Sequence, residues 1–261
     1  MRNHKKKDPL SKFEIEPIGI LHTCFKEKFG IPRQPGLVQS AYGTLKLKDD
    51  PFLQTALKGL EGFSHVWVIF IFHEHQAKNW KPSIRPPRLG GAKKVGVLAS
   101  RSPHRPNALG LSCLKLEKVD PLAQGGPELL LSGVDCLDGT PVVDIKPYLP
   151  YTDSIIDAKT GWAYEPIQKT PVTFSDESLL ILERLQKKFP HLKALIQEML
   201  ELDPRPAFQQ RKLPSHEEAA QGTRFGFRLY DFDIKWEIKD QIFHVITIVD
   251  FHTQKLAHNL E

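Results

Sequence analysis

Two short polar segments in the first half of the chain carry side chains suited to binding a charged ligand. In residues 26–36, prolines on either side of Arg33 and Gln34 restrict the backbone and present a guanidinium and an amide at low entropic cost. Farther along, His73-Glu74-His75 follows an apolar run, so a rigid strand end would hold these side chains. The spacing of the histidines could suit a metal ion, but no third ligand is evident, and we expect no metal site.

The longest polar segment combines cations with glycines and prolines over residues 85–107. Its positively charged residues are Arg85, Arg88, Lys93, Lys94, Arg101 and Arg105. A run of charges is usually a solvated surface, but the interspersed prolines indicate cations held in fixed positions, which favours contact with phosphate groups. The segment is therefore a candidate surface for nucleic acid.

A fourth polar segment, residues 135–148, carries three carboxylates that we expect at turns between strands. Asp138 and Gly139 form an ordinary hairpin turn pair, whereas Asp135 and Asp144 suit a ligand that carries positive charge. No Gly-x-Ser-x-Gly motif and no cysteine in an activating setting points to a nucleophile. These residues indicate a ligand-binding domain without naming its reaction.

Short strands broken by proline and glycine are expected to position these segments. Residues 43–48 alternate between apolar and polar side chains, as a half-buried strand does, whereas the continuous apolar run 66–72 predicts a strand covered on both faces. Further strands are predicted at residues 94–99, 112–119 and 128–134. Asp50 would cap a short helix over residues 51–60. Such a series predicts a closed barrel or a sandwich, and no Gly-x-Gly-x-x-Gly motif supports a Rossmann nucleotide site.

The pattern changes in the last third of the chain, where a smaller α+β domain is predicted. Ser175 and the acidic residues after it form a helix cap, and apolar stripes at helical spacing follow in residues 179–189 and 192–200. The two prolines of residues 203–209 exclude a helix that contains this segment, and predicted strands end the chain. The predicted division is a basic tail (1–12), a β domain (13–150), a linker (151–173) and an α+β domain (174–261).

Composition and charge limit the class of protein. The 261 residues are 40% hydrophobic and 26% charged, which excludes a disordered or collagen-like chain. The 3 cysteines have no Cys-x-x-Cys spacing, so neither a disulfide framework nor a structural zinc site is indicated. The net charge of +5 permits an anionic partner without requiring one. The basic start lacks the apolar stretch of a signal peptide and residues 66–72 are too few to cross a membrane, so we expect a cytoplasmic protein without a membrane partner.

In their order and spacing, these motifs together resemble the TsaA/TrmO-like family. They are Gly-Ile-Pro-Arg-Gln-Pro-Gly (30–36), Gly-Phe-Ser-His (62–65), Phe-His-Glu (72–74), Arg-Pro-Pro-Arg-Leu-Gly-Gly (85–91), Arg-Ser-Pro-His-Arg-Pro-Asn (101–107), Asp-Gly-Thr-Pro-Val-Val-Asp-Ile-Lys-Pro-Tyr (138–148) and Asp-Pro-Arg-Pro-Ala-Phe (203–208). The resemblance covers residues 13–251. It implies a methyltransferase that uses S-adenosylmethionine, built on a small closed β-barrel that a smaller α+β domain follows.

The same resemblance implies a substrate and a site. The substrate is transfer RNA with threonylcarbamoyladenosine next to the anticodon, at position 37, which is methylated on the base N6. Members are expected to be homodimers with the cofactor near the subunit interface. Carried over by position, the cofactor-binding residues are Pro32, Arg33, Gln34, His73, Glu74, Arg101, Leu111, Asp135, Asp138, Gly139 and Thr140. The cations assigned to RNA are Arg85, Arg88, Lys93, Lys94 and Arg105.

The catalytic residues and the substrate class stay open. Methyl transfer relies on positioning more than on a covalent residue, and the general base that would take the N6 proton is unidentified. Asp203 and Arg205 are candidates to orient the substrate, with a rigid elbow between the domains as the structural alternative. A non-enzymatic RNA-binding module would use the same basic segments. A methyltransferase for a small molecule or a protein would use the same cofactor residues.

Overall fold

The computed structural model describes residues 13–75 and 80–250, and the predicted basic tail, residues 1–12, lies outside them. Strand residues outnumber helical residues, and they form a closed barrel in the first part of the chain and a four-stranded sheet in the last part. Helices pack with that second sheet. The predicted fold class, mainly β with a barrel and a smaller α+β unit, is therefore confirmed.

The barrel closes because β1 pairs with β8, so that every strand has neighbours on both sides. The barrel strands are β1 (Gly19–Thr23), β2 (Tyr42–Leu47), β3 (His65–Ile71), β6 (Leu109–Asp120), β7 (Glu128–Ser132) and β8 (Thr140–Pro147). Between β3 and β6 the chain forms a separate two-stranded ribbon of β4 (Ser83–Ile84) and β5 (Val95–Gly96). The order around the barrel is β1-β2-β7-β6-β3-β8, with antiparallel pairing throughout. Inward side chains such as Leu21, Leu45, Val68 and Leu129 are fully buried and fill the interior.

Three predicted segments differ from the structure. β3 alternates between buried and half-buried residues instead of being covered on both faces, because a barrel strand turns only one face inward. Of the three carboxylates of segment 135–148 that were expected at turns, Asp135 and Asp138 lie before β8, but Asp144 lies within β8 and pairs with Lys146 at 3.0 Å. Residues 94–99 form only the short β5 and a 3-10 turn.

Two short helices flank the barrel strands. As predicted, the Asp50 side chain caps α1 (Pro51–Ala56) by accepting a hydrogen bond from Phe52 N. The helix ends earlier than the predicted Leu60, and Gly59 with φ of 87° begins a separate 3-10 turn there. The second helix, α2 (Pro150–Asp153), follows β8. Its Asp153 accepts hydrogen bonds from Leu149 N and from the indole of Trp67, which joins the helix to β3.

The last part of the chain places helices against an antiparallel sheet with one parallel edge strand. Its elements are β9 (Val172–Phe174), α3 (Asp176–Leu185), α4 (Leu192–Glu201), α5 (Ala207–Lys212), β10 (Arg224–Leu229), β11 (Phe232–Lys239) and β12 (Ile242–Asp250). The sheet order is β10-β11-β12-β9, and β9 runs parallel to β12. β9 begins inside the predicted linker, residues 151–173. Ser175 caps α3 by accepting from Ser178 N, as predicted.

The two units share one continuous hydrophobic core, and α4 lies at their contact. The predicted stripe of α4 is buried. On its opposite side, the Glu198 carboxylate accepts hydrogen bonds from Ser40 N and Ser40 Oγ at 2.9 Å each, and His191 stacks on Tyr42 at the start of β2. The helix unit therefore braces the loop that leads from the first polar segment into the barrel.

Candidate functional site

A cavity of about 790 Å³ opens where β3 ends and β6 begins. Because these strands pair with Ile71 opposite Leu109, the polar loops at their ends lie side by side. Segments 26–36, 73–75, 98–107 and 135–140 all contribute to the wall. The predicted cofactor-binding residues on this wall are Pro32, Arg33, Gln34, His73, Glu74, Arg101, Leu111, Asp135 and Thr140. The structure thus brings together residues from four separate loops.

Asp138 and Gly139 are not part of the cavity wall, although the sequence placed them in the site. The Asp138 carboxylate accepts hydrogen bonds from Thr23 N at 2.9 Å and from Lys26 Nζ at 2.7 Å. Burial alone would raise the pKa of Asp138, but these hydrogen bonds outweigh burial and lower it. Gly139, with φ of 79°, completes the turn before β8. Both residues hold the loop between β7 and β8 in place.

The guanidinium groups of Arg33 and Arg101 belong to residues of the cavity wall. Arg101 Nη1 donates a hydrogen bond to Gln34 Oε1 at 2.7 Å, which links the first polar segment to the basic segment across the cavity. Arg33 Nη2 donates to the carbonyl oxygen of Arg205 at 3.2 Å. Burial lowers the pKa of Arg33 and the charge of Asp203 opposes this shift. An arginine remains cationic under such conditions, so both residues can offer positive charge to an anionic group of a ligand.

Two histidines of the cavity wall, His73 and His75, lie near Lys28. His75 lies edge-to-face with His104, with ring centroids 5.3 Å apart. Burial lowers the pKa of both rings, and the positive charge of Lys28 lowers it further in each case. Lys28 Nζ is 3.1 Å from Glu74 Oε2, so the charge of this lysine is partly balanced. The histidines are therefore held neutral at neutral pH and can still offer hydrogen bonds.

The part of the cavity wall that β3 and β6 form is largely apolar, and one carboxyl group lies beside it. Leu111 and Ile69 form part of this wall, and the ring of Phe70 packs directly on Gly110. Asp135 stands among them and accepts a hydrogen bond from Ser112 Oγ at 2.7 Å. The sequence reading missed Ser112. It is a polar residue at an inward position of β6, where Leu114 and Leu116 point inward as well, and that break in the alternation was the available signal.

Gly110 is expected to be required for the shape of this wall. A Cβ atom at Gly110 would lie 2.2 Å from Phe70 Cζ, so Gly110→Ala forces a buried ring to move and lowers the free energy of unfolding by about 1–3 kcal/mol. Denaturant unfolding measures this change. Gly96→Ala is the matched control, because a Cβ there meets nothing within 4 Å. Equal stability of the two variants would show that the ring does not pack as described.

Parts of the basic segment are held by hydrogen bonds to other parts of the chain. Arg88 Nη2 donates to the carbonyl oxygen of Glu165, and Arg211 of α5 donates to the carbonyl oxygen of Gly90. Arg105 lies on the cavity wall and donates to Ser100 O at 3.3 Å. Arg88 and Arg105 thus serve the loop structure as well as carrying charge. The other cations of the predicted RNA-binding set, which are exposed, are Arg85, Lys93 and Lys94.

Arg205 is buried to 1% exposure and its guanidinium is fully engaged inside the protein. It donates to both carboxylate oxygens of Asp203, at 2.8 and 2.7 Å, and to Leu213 O at 2.8 Å. The rings of Phe225 and Phe243 each lie with their centroid 5.4 Å from its central carbon. This geometry supports the rigid elbow over substrate orientation by Asp203 and Arg205, since the arginine has no face open to a substrate. Only the Arg205 carbonyl reaches the cavity region, through Arg33.

Two kinds of feature are absent from residues 13–75 and 80–250. No three His, Cys, Asp or Glu side chains in this part of the chain come together in a way that could hold a metal ion. No helix among the same residues is long and apolar enough to cross a membrane.

Comparison with known proteins gives consistent matches over nearly the whole chain. The family models for the tRNA-methyltransferase O N-terminal domain and the TrmO C-terminal domain match residues 20–154 and 167–251. The tRNA (adenine(37)-N6)-methyltransferase of Escherichia coli K12 is 42% identical over 240 residues, 92% of this chain and 99% of that protein. A putative S-adenosylmethionine-dependent methyltransferase, RcsF of Pseudomonas aeruginosa, is 44% identical over 85% of this chain and 91% of its own length. The crystal structure of TrmO from P. aeruginosa superposes with a TM-score of 0.73 at 37% identity, covering 92% of this chain and 99% of that one.

Proposed function

The chain belongs to the TrmO family, and on that premise we propose that it is an S-adenosylmethionine-dependent tRNA methyltransferase acting on N6 of adenine 37. We further propose that the adenine carries the threonylcarbamoyl group when it is methylated. The observation that carries the proposal is a cavity that combines guanidinium groups, an apolar surface and carboxyl groups. We also propose that the barrel, residues 13–150, binds the cofactor, that residues 151–173 link it to the C-terminal unit 174–261, and that the enzyme works in the cytoplasm with its tRNA.

The donor set of the cavity fits S-adenosylmethionine, which supplies an electrophilic methyl group when bound. A guanidinium such as that of Arg33 or Arg101 suits the carboxylate of the methionine part. The wall near Leu111 and Ile69 offers apolar contact to adenine. Carboxyl groups at Glu74 and Asp135 can accept hydrogen bonds from hydroxyl or amino groups. Both signs of charge and an apolar surface are therefore available for a zwitterionic nucleoside ligand.

The threonylcarbamoyl substrate is supported by the size and charge of the site. Ligand cavities usually measure roughly 300–1,000 Å³, and a cavity of about 790 Å³ lies in the upper part of that range, with room for a second group beside a cofactor. The threonyl part of the modified base ends in a carboxylate. Lys28 and Arg105 on the wall supply positive charge for it, together with the hydrogen bonds that His73 and His75 can donate.

The proposal is tested with purified protein, S-adenosylmethionine and two tRNA preparations that differ only in the threonylcarbamoyl group at adenosine 37. We expect mass spectrometry of the digested nucleosides to show one added methyl group only on threonylcarbamoyladenosine. Methylation of both preparations would refute the specificity but keep the methyltransferase. RNA binding without saturable heat on titration with S-adenosylmethionine would favour the non-enzymatic module. Saturable heat without methylation of either tRNA would favour another substrate.

We propose that two copies associate next to the cavity. Leu98, Leu109 and Leu111 line the cavity and are 75%, 36% and 51% exposed, which is unusual for apolar side chains placed together. A second copy would cover this patch and place the cofactor near the interface. Sedimentation equilibrium should give the dimer mass for the wild type, and Leu98→Asp should shift the equilibrium towards monomer. A monomeric wild type at micromolar concentration would refute the dimer.

Exposed cations of the basic segment are expected to set the salt dependence of tRNA binding. Each lost phosphate contact lowers the slope of log affinity against log salt by about 0.7–0.9, so Arg85→Ala combined with Lys94→Ala should flatten the slope by roughly 1.5. Filter binding at a series of salt concentrations measures it, and calorimetry should show unchanged cofactor affinity. Lys118→Ala at the far end of β6 is the control and should leave the slope unchanged. A slope that stays at the wild-type value in the double variant would show that Arg85 and Lys94 do not contact the phosphates of the tRNA.

A further inference from the structure

A loop between the two units, residues 160–165, contacts the basic segment at two points. Arg88 of the basic segment donates a hydrogen bond to the carbonyl oxygen of Glu165. The indole of Trp162 donates to the carbonyl oxygen of Ala99 at 2.9 Å, and residues of the cavity wall stand on either side of Ala99 in the chain. The loop is therefore fixed both to the basic segment and beside the cavity.

The short helix α5 of the C-terminal unit contacts the tip of the same basic segment, residues 88–91. Arg211 of α5 donates a hydrogen bond to the carbonyl oxygen of Gly90. A Cβ atom added at the next residue, Gly91, would lie 3.3 Å from the Cβ atom of Ala207, so little space remains between the helix and the segment. The tip of the basic segment thus touches a second element besides the loop that contains Glu165.

A shared carbonyl group ties α5 to the cavity wall. Gln210 Nε2 of α5 donates a hydrogen bond at 2.9 Å to the carbonyl oxygen of Arg205. The same oxygen accepts the hydrogen bond from Arg33, a residue of the cavity wall, at 3.2 Å. Both the loop 160–165 and α5 are therefore fixed relative to the cavity in which the proposed methyl transfer takes place.

Each of these two segments carries an exposed aromatic side chain next to a residue that contacts the basic segment. Tyr164, 71% exposed, precedes Glu165, and Phe208, 60% exposed, follows Ala207. A single exposed aromatic residue is common, but here two of them stand on separate segments that hold one basic loop. Exposed cations accompany them, namely Arg85, Lys93, Lys94 and Lys212. Aromatic rings beside cations are suited to single-stranded RNA, because the rings stack on unpaired bases and the cations contact phosphates.

We propose that Tyr164 and Phe208 stack on the unpaired bases that flank adenosine 37 in the anticodon loop. This inference rests on the proposed function, because adenine 37 must enter the cavity for methyl transfer and its neighbours then lie next to the cavity. A base that leaves the loop takes stacking away from its neighbours, and the two rings replace part of that stacking. The rings carry no charge, so they add affinity without adding to the salt dependence that the exposed cations set.

The experiment measures binding of full-length tRNA with threonylcarbamoyladenosine by filter binding at a series of salt concentrations. Phe208→Ala and Tyr164→Ala should each weaken binding by roughly 5- to 150-fold and leave the salt slope at the wild-type value. Phe208→Tyr and Tyr164→Phe keep the faces of the rings and should bind within about twofold of wild type. Phe208→Leu keeps an apolar side chain without an aromatic face and should bind as weakly as Phe208→Ala.

Further measurements separate stacking from other causes of weaker binding. Phe52→Ala is the matched control, because Phe52 is 85% exposed on α1, outside the cavity wall, and its loss should leave tRNA affinity unchanged. A tRNA with 5-iodouridine next to position 37 should crosslink under ultraviolet light to Tyr164 or Phe208, which mass spectrometry of the peptides identifies. Calorimetry should give wild-type affinity for S-adenosylmethionine in both alanine variants, since neither residue lines the cavity.

Three results would overturn the assignment. Alanine variants that bind tRNA as tightly as wild type would show that the rings do not contact it. Weaker binding with a flatter salt slope would mean that the substitutions displace the cations instead of removing a stack. Sedimentation equilibrium that gives dimers for wild type and monomers for the alanine variants would place the rings in a subunit interface. Methylation by the wild type is measured separately, so a protein that binds tRNA without methylating it refutes the proposed reaction and still tests the stacking.

Discussion

Replacing Arg205 with alanine is expected to lower the free energy of unfolding by about 3–5 kcal/mol. The substitution leaves the Asp203 carboxylate, whose residue is mostly buried, without the two hydrogen bonds at 2.8 and 2.7 Å that neutralise it. It also frees the carbonyl of Leu213 and removes the cation between the rings of Phe225 and Phe243. Removing one partner of a buried charge pair destabilises a protein by far more than the intact pair stabilises it, because the remaining charge stays away from water without a partner.

Guanidinium-induced unfolding followed by far-UV circular dichroism measures this change. Arg224→Ala serves as the matched control, since Arg224 is an exposed arginine of the same unit whose contact with Glu237 is 3.8 Å long. Its loss should change the free energy of unfolding by less than about 1 kcal/mol. Arg205→Lys keeps the charge but not the forked geometry, so its loss in free energy of unfolding should lie between those of Arg205→Ala and Arg224→Ala. A loss below 1 kcal/mol for Arg205→Ala would contradict the elbow role and reopen substrate contact for this residue.

Local signals predicted the elements that depend on local physics. The Asp50 and Ser175 caps and the buried stripe of α4 follow from side-chain chemistry and helical period, and the structure confirms each of them. β8 was missed because its sequence begins with the turn pair Asp138-Gly139 and contains two prolines, Pro141 and Pro147. Pro147 is tolerated because it is the last residue of the strand, and Pro141 lies beyond Val142, where the pairing of β8 with β3 ends. Closure of the barrel depends on the pairing of β8 with β1, which no local pattern contains.

The side chains of the site likewise depend on contacts between distant parts of the chain. The sequence marked several polar segments as candidate functional loops, and segments 26–36, 73–75, 98–107 and 135–140 meet at one cavity. Which members face that cavity is set by non-local contacts. Asp138 turns to Lys26 and Thr23, more than 100 positions earlier in the chain, and Arg88 turns to Glu165. Ser112 becomes relevant only because β6 passes beneath the loop that carries Asp135.

Arg33→Ala is expected to weaken S-adenosylmethionine binding by roughly 10- to 150-fold, because a hydrogen bond to a charged group contributes about 1.5–3 kcal/mol. Arg33 lies on the cavity wall, and its link to the Arg205 carbonyl holds it there, so the guanidinium is pre-positioned for a carboxylate. Isothermal titration calorimetry gives the dissociation constant directly. Arg85→Ala is the control, since Arg85 is exposed outside the cavity wall and should leave cofactor affinity unchanged.

The two arginine variants should therefore each impair the binding of a different ligand, the cofactor or the tRNA. Arg33→Ala should keep the wild-type salt slope of tRNA binding while losing cofactor affinity, and Arg85→Ala should do the reverse. S-adenosylhomocysteine, which keeps the methionine carboxylate but lacks the positive sulfur, should lose as much affinity in Arg33→Ala as the methyl donor does. If only the methyl donor is affected, the guanidinium does not bind the carboxylate. Equal losses for both ligands would show that Arg33 binds the amino-acid part of the cofactor. Its contribution would then not depend on the positive charge of the sulfur, which is lost in methyl transfer.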